Sequence, residues 1–166
     1  SAGMDLGAAM MGDEPVDADE LLERADMATA RAKAAGRNGV QVFDDELRTS
    51  TMARIGLDVD LHGALARGEF LLHYQPKAAL HDGRVQGFEA LLRWRNPELG
   101  QVSPVTFIPL AEETGLIVPI GEWVLREACV QLQRWIKAGL NSTTVAVNVS
   151  MLQLLRRRLP RLVHHA

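Results

Sequence analysis

Two strand-like runs on either side of the tetrapeptide HDGR, residues 81–84, constrain the fold of this chain most strongly. An Asp-Gly pair between strand residues is among the strongest short signals for a β-hairpin. A connection this short cannot cross over a sheet, so the two strands must be antiparallel.

The segment after the hairpin indicates how a third strand joins the same sheet. Helical patterns occupy VTFIPLAEETG and GEWVLREACVQLQRWIKAG, and the β-branched run TTVAVNVS follows them. Two helices are enough for a right-handed crossover, so the second and third strands can run parallel. The pattern predicts an α/β fold, the opening portion of a sheet or barrel.

The region before the hairpin carries one apolar helix face, which is too little surface for a domain. Asp17 followed by Glu20 resembles a capping box, and Gly36 can cap the C-terminal end of this helix. The strand-like GVQVF follows, and helical signals then cover residues 44–67 as one long helix or two in series. We expect residues 1–43 to be a piece of a domain.

Composition excludes several classes of function. The net charge of −3 provides no general attraction to nucleic acid, and no apolar run is long enough to span a bilayer. The one cysteine, Cys129, cannot form an internal disulfide, so nothing indicates an oxidising compartment. Both ends stop without an obvious start or termination, and we expect a segment of a longer protein.

Glu89 is the residue whose position most needs explaining, because it lies inside the largely apolar run GFEALLRW. Burying a carboxylate costs several kcal/mol unless it is paired. Glu89, Leu91 and Arg93 share one strand face because side chains alternate. Gln75 is opposite Ala90 for a DG or HDGR loop, opposite Glu89 for an HDG loop and opposite Leu91 for a DGR loop. Only the three-residue loops place Gln75 and Glu89 on one face.

Asn148 ends the third strand, where ligands collect in α/β barrels. Together with the carboxylate of Glu89, its amide oxygen suits Mg²⁺ or Mn²⁺, and Arg93 suits a phosphate or a guanine edge. Structural interpretations compete with this site, and spacing alone favours them. Glu89 and Arg93 can form a same-face ion pair, and Asn148 can cap the next helix. We expect the adjacent acids Glu112 and Glu113 to belong to a solvated helix end.

The chain from FLLHYQPKAALHDGRVQGFEALLRWRNPELG to VAVNVS resembles the first part of an EAL domain, the bacterial cyclic di-GMP phosphodiesterase. The resemblance implies a modified (β/α)₈ TIM-like barrel whose first strand is antiparallel to the next. It implies that Glu89 and Asn148 are metal ligands, and that Gln75, Leu91 and Arg93 contact cyclic di-GMP. The implied reaction is attack of water on one phosphodiester, activated by two divalent ions. A cytoplasmic location is implied, and a homodimer through the EAL domain is compatible with the resemblance.

The upstream segment containing RAKAAGRN resembles the C-terminal end of a GGDEF domain, the diguanylate cyclase module. We therefore expect a GGDEF remnant at 1–43, a linker helix at 44–56 and the N-terminal part of an EAL domain at 57–166. The GGDEF signature itself is not in the sequence, so cyclase activity is not expected. The last acidic residue is Glu127, and a two-metal site needs several carboxylates, so we expect this chain alone to be inactive. One alternative is a parent protein that binds cyclic di-GMP without cleaving it, and a second is a protein–protein regulatory module that uses the degenerate GGDEF remnant.

Overall fold

The computed structural model describes residues 4–10, 17–34, 39–141 and 143–155. The chain divides into two compact units, Ser1–Leu57 and Asp58–Ala166. No helix within the described ranges is both long and apolar enough to cross a membrane.

The first unit is a β-α-β arrangement made of β1 (Leu6–Ala8), α1 (Ala18–Ala34) and β2 (Val40–Val42). The two strands pair in parallel, and α1 packs against both of them. One of the two hydrogen bonds of the predicted capping box forms at the N-terminus of α1. The side chain of Asp17 accepts a hydrogen bond from the Glu20 N–H at 2.7 Å, but the Glu20 carboxylate bonds Arg24 instead of completing the box. Gly36, the predicted C-terminal cap, lies outside the described residues.

A single helix, α2 (Asp45–Ala64), follows β2. This answers the question of one helix or two. Its first N–H groups are capped by Asp44, whose Oδ1 accepts from the Leu47 N–H at 2.6 Å. The helix continues through Gly56 to Ala64, beyond residue 56, the predicted end of the linker.

The second unit is a sheet with helices along one face. Its strands are β3 (Phe70–Ala78), β4 (Val85–Asn96), β5 (Gly100–Val102) and β6 (Thr144–Val147). β3 and β5 pair with β4 antiparallel, whereas β6 pairs with β4 in parallel. The crossover to β6 consists of α3 (Pro104–Thr114) and α4 (Ile117–Lys137), and β6 leads into α5 (Met151–Leu155). Hairpin and crossover thus have the geometry expected from their lengths, whereas the short strand β5 was not among the predicted elements.

The loop of the hairpin differs from each of the predicted loops, and a bulge contributes to the register of the two strands. The Ala79 N–H donates to the Arg84 carbonyl, which makes the loop residues 80–83. This loop alone would put Gln75 opposite Phe88. A bulge near the loop shifts the register, because Lys77 pairs with Gly87 whereas Ala78 pairs with Val85. Gln75 therefore pairs with Glu89 directly, and both side chains lie on one face.

The helix-facing side of the sheet holds the core. The ring of Phe70 lies 6.1 Å from that of Trp94 and 6.0 Å from that of Phe107, and both of these partners are fully buried. Farther along the sheet, Trp135 packs against Phe88 at 4.4 Å between ring centroids. These aromatic contacts anchor α3 and α4 on one face of the sheet. Glu89, Leu91 and Arg93 lie on the opposite face of β4, because side chains alternate along a strand.

Glu69 is a buried carboxylate that the sequence analysis did not identify. Its Oε2 accepts a hydrogen bond from the Trp94 indole N–H at 2.9 Å, and its Oε1 pairs with the Arg67 guanidinium. The hydrogen bond from Arg67, together with that from Trp94, lowers the pKa of Glu69 below its ordinary value despite burial. The pairing explains how a charged residue can stand at the start of β3 beside the core.

Candidate functional site

Glu89 and Asn148 are in contact on the face of the sheet that is opposite the aromatic core. Glu89 lies midway along β4 and pairs with Ala146 of β6, and Asn148 follows the end of β6. The Asn148 Nδ2 donates a hydrogen bond to Glu89 Oε1 at 2.7 Å, although 59 residues separate the two in sequence. Parallel pairing of β4 with β6 therefore brings together the two residues that the sequence analysis grouped as one site.

Gln75, Leu91 and Arg93 share the same sheet face as Glu89. Gln75 lies directly opposite Glu89 on β3, and Arg93 lies two pairs beyond Leu91, opposite Leu71. The Arg93 Nη1 donates to the backbone carbonyl of Leu92 at 2.9 Å. Over the described ranges no ion pair joins Arg93 to Glu89, so the ion-pair interpretation of these two residues is wrong. The guanidinium remains available to an anion because its observed acceptor is a neutral carbonyl.

Arg93 lines two cavities of the second unit. One, of about 330 Å³, is also lined by Leu91, Glu112, Asn148 and Ser150. The other, of about 380 Å³, is also lined by His73 and Arg95. Leu91, Arg93 and Asn148 thus line cavities that are open to a ligand, whereas Glu89 and Gln75 line neither of the two.

Ser150, not Asn148, caps the helix that follows β6. The Leu152 N–H donates to Ser150 Oγ at 3.3 Å, and the side chain of Gln153 accepts from the Ser150 N–H at 3.0 Å. This is a capping box, and the spacing of Ser150 and Gln153 could have revealed it from sequence. The interpretation of Asn148 as the helix cap is therefore wrong, and its side chain bonds Glu89 instead.

Glu112 also differs from its prediction, since it is not solvated but bonded to a distant residue. It is half-buried, and its Oε1 accepts a hydrogen bond from Ser150 Oγ at 2.6 Å. The prediction of a solvated helix end fails because the last turn of α3 meets the segment after β6. Its partner is 38 residues away, so no local pattern could indicate the contact.

The donor set fits part of the coordination shell of a hard divalent cation. Glu89 supplies a carboxylate, and rotation of the Asn148 amide would present its oxygen in place of its N–H. In the part of the chain that the structure describes, no group of three His, Cys, Asp or Glu side chains could hold a metal ion. Glu89 and Asn148 alone would therefore supply only part of a shell that needs about six oxygens.

Comparisons with known proteins identify a family for residues 58–166. The family model for the EAL domain matches residues 58–166. The bifunctional diguanylate cyclase/cyclic di-GMP phosphodiesterase MucR of Pseudomonas aeruginosa is 44% identical over 148 residues, which are 89% of this chain and 22% of that protein. The cyclic di-GMP phosphodiesterase PdeR of Escherichia coli is 39% identical over 149 residues, which are 90% of this chain and 22% of that protein.

A solved structure shares the fold of a large part of this chain. The PaMucR phosphodiesterase in complex with c-di-GMP matches with a TM-score of 0.62 and 49% identity, over 64% of this chain and 43% of that chain. The chain spans about a fifth of the length of the curated relatives, with 22% of MucR and of PdeR covered. Because the family model matches more than half of its residues, this chain belongs to the EAL domain family.

Proposed function

We propose that this chain is the N-terminal part of an EAL domain in a longer protein that hydrolyses cyclic di-GMP to the linear dinucleotide. The observation that carries the proposal is the 2.7 Å hydrogen bond between Asn148 and Glu89, since it joins a carboxylate and an amide at the open face of the sheet. The names of two relatives, MucR and PdeR, include cyclic di-GMP phosphodiesterase activity.

Glu89 and Asn148 would hold a divalent cation, Mg²⁺ or Mn²⁺. When bound, such a cation supplies an activated water and neutralises charge that develops on the phosphodiester. Arg93 would bind a phosphate oxygen, since it lies on the face of Glu89 and pairs with no carboxylate among the described residues. Gln75 would hydrogen-bond the dinucleotide, and Leu91 would pack against it.

We propose that the isolated chain has no phosphodiesterase activity. No acidic residue follows Glu127, so the ligands beyond Glu89 and Asn148 must come from elsewhere in the longer protein. A homodimer through the EAL domain and a cytoplasmic location stay predictions.

We also propose that residues 1–43 are the C-terminal end of a GGDEF domain, that residues 44–56 are a linker helix and that residues 57–166 are the EAL part. The parallel β1–β2 pair with α1 as its crossover supports an α/β remnant. The match to MucR, which is named a bifunctional diguanylate cyclase and phosphodiesterase, extends over 89% of this chain and supports the same order of domains.

Hydrolysis is tested in the full-length protein with Mg²⁺, using cyclic di-GMP and separation of its products. We expect Glu89→Gln and Asn148→Ala each to lower kcat by more than about 100-fold, because even residues that only orient ligands contribute 10–100-fold. Arg84→Ala is the matched control, since this exposed arginine contacts Asp82 at the hairpin loop. Its turnover should equal that of the parent.

A titration of the same full-length protein with cyclic di-GMP tests the alternative of a binding module. Binding of cyclic di-GMP without any hydrolysis would replace the phosphodiesterase proposal by that alternative. Absence of both binding and hydrolysis would reject both functions, whereas turnover that is unaffected by Glu89→Gln would reject the role proposed for Glu89.

A further inference from the structure

We propose that Glu112 is a positioning residue for Asn148, which it holds against Glu89 by fixing Ser150. The inference rests on the proposed function, because it takes the Glu89–Asn148 pair as the cation site. Glu112 itself contacts neither residue of the pair. Its effect is exerted through the segment that connects β6 to α5.

The contact between Glu112 and Ser150 is a strong one. The Ser150 Oγ donates to Glu112 Oε1 at 2.6 Å, a separation typical of a hydroxyl bonded to a carboxylate. Both residues are half-buried, so water competes less for these groups than at an open surface. The hydrogen bond therefore fixes the side chain of Ser150 to the C-terminal part of α3.

Ser150 is held from a second direction by α5 and α4. Its N–H donates to the side chain of Gln153 at 3.0 Å, and Gln153 is buried. Gln153 lies directly against Gly121 of α4, where an added Cβ would come within 1.8 Å of its Nε2. Gln153 thus holds the backbone N–H of Ser150, whereas Glu112 holds its hydroxyl, so the position of Ser150 depends on both contacts.

Asn148, by contrast, has few contacts of its own besides its hydrogen bond to Glu89. It is exposed, and its one side-chain hydrogen bond within the described residues is the bond to Glu89. Only Val149, also exposed, separates Asn148 from Ser150. The position of the amide is therefore set on one side by the end of β6 and on the other by Ser150, so releasing Ser150 lets Asn148 move away from Glu89.

The carboxylate of Glu112 is not needed for the packing of α3. That helix is anchored by its buried side chains, Phe107, Leu110 and Ala111. Truncating Glu112 leaves these contacts intact. We therefore expect the change to weaken cation binding far more than it lowers the stability of the unit.

The experiment measures Mn²⁺ binding to the full-length protein by the electron paramagnetic resonance signal of free Mn²⁺. Glu112→Ala should raise the Kd for Mn²⁺ by about 10–100-fold, as is usual when a residue that orients a metal ligand is lost. Glu112→Gln should restore most of the affinity, because its amide oxygen still accepts from Ser150. Glu113→Ala, at the exposed neighbouring position, is the matched control and should bind Mn²⁺ like the parent.

Two further measurements separate positioning from a structural role. The Tm of Glu112→Ala should lie within a few degrees of the parent, and binding of cyclic di-GMP in EDTA should be unchanged. Parent-like Mn²⁺ affinity in Glu112→Ala would overturn the inference, and so would a loss of affinity accompanied by a large fall in Tm that Glu112→Gln does not reverse.

A measurement of Mn²⁺ binding by the Glu89→Gln variant identifies the cause of a failure. If Glu89→Gln abolishes Mn²⁺ binding while Glu112→Ala does not, only this inference is wrong. If Glu89→Gln binds normally, the proposed cation site is wrong, and the role of Glu112 is wrong with it.

Discussion

The indole of Trp94 is expected to stabilise the second unit through its hydrogen bond to a buried carboxylate. Trp94 is fully buried, and its N–H lies 2.9 Å from Glu69 Oε2. The change Trp94→Phe keeps an aromatic ring between Phe70 and Phe107 but removes the donor. Arg67 then remains the partner of Glu69, with its Nη2 at 3.3 Å from Oε2.

The magnitude follows from the charge of the acceptor. A hydrogen bond to a charged group contributes about 1.5–3 kcal/mol to the free energy of unfolding. The smaller ring of Phe adds a packing cost of its own, so Trp94→Phe alone overestimates the bond. A double-mutant cycle with Glu69→Leu subtracts that cost, and we expect a coupling free energy of about 1.5–3 kcal/mol between the two side chains.

Urea denaturation of the four proteins at neutral pH measures this coupling. Fluorescence is a suitable probe because Trp94, Trp123 and Trp135 are the three tryptophans of the chain and all belong to the second unit. The signal of Trp123 and Trp135 remains in every variant. A coupling below about 0.5 kcal/mol, the range in which independent sites are additive, would refute the assigned role of the hydrogen bond.

The remaining predictions concern acid stability and core packing. Since Arg67 holds the pKa of Glu69 below its ordinary value of 4.5, the stabilisation is complete above about pH 4.5 and is lost as the pH falls through the lowered pKa; urea midpoints measured across this range should fall less steeply in Glu69→Gln than in the parent. Gly121→Ala should cost about 1–3 kcal/mol in urea denaturation, because its Cβ would overlap the buried side chain of Gln153. Phe107→Ala should cost about 3–5 kcal/mol in the same assay by leaving a cavity in the aromatic core. Unchanged midpoints in either variant would contradict the packing described for that position.

Local patterns were sufficient to predict the elements that carry the site. The Asp82-Gly83 turn predicted an antiparallel hairpin, and the two helices before the third strand predicted a parallel return, and the structure has both. Those two features put Glu89 and Asn148 on neighbouring strands. Period-two alternation then placed Arg93 on the face of Glu89. Such inferences succeed because turn chemistry, connection length and alternation depend on residues close together in sequence.

Other features depend on contacts between distant residues. The burial of Glu69 beside Trp94 and the bond from Ser150 to Glu112 join separate elements, and no spacing rule indicates either contact. Glu112 was expected to be solvated because a helix end with adjacent acids usually is. Its neighbour in space is known only once α3 and the end of β6 have packed together.

The sequence by itself determined that the hairpin is antiparallel, that two helices precede the third strand, and which polar side chains stand on the strands. The tertiary structure decided which of those side chains face one another. Residues 80–83 as a loop would have set Gln75 against Phe88, and a single extra residue in β4 set it against Glu89 instead. The physical reason is the two-residue period of a strand, since a shift of one residue moves a side chain to the opposite face of the sheet.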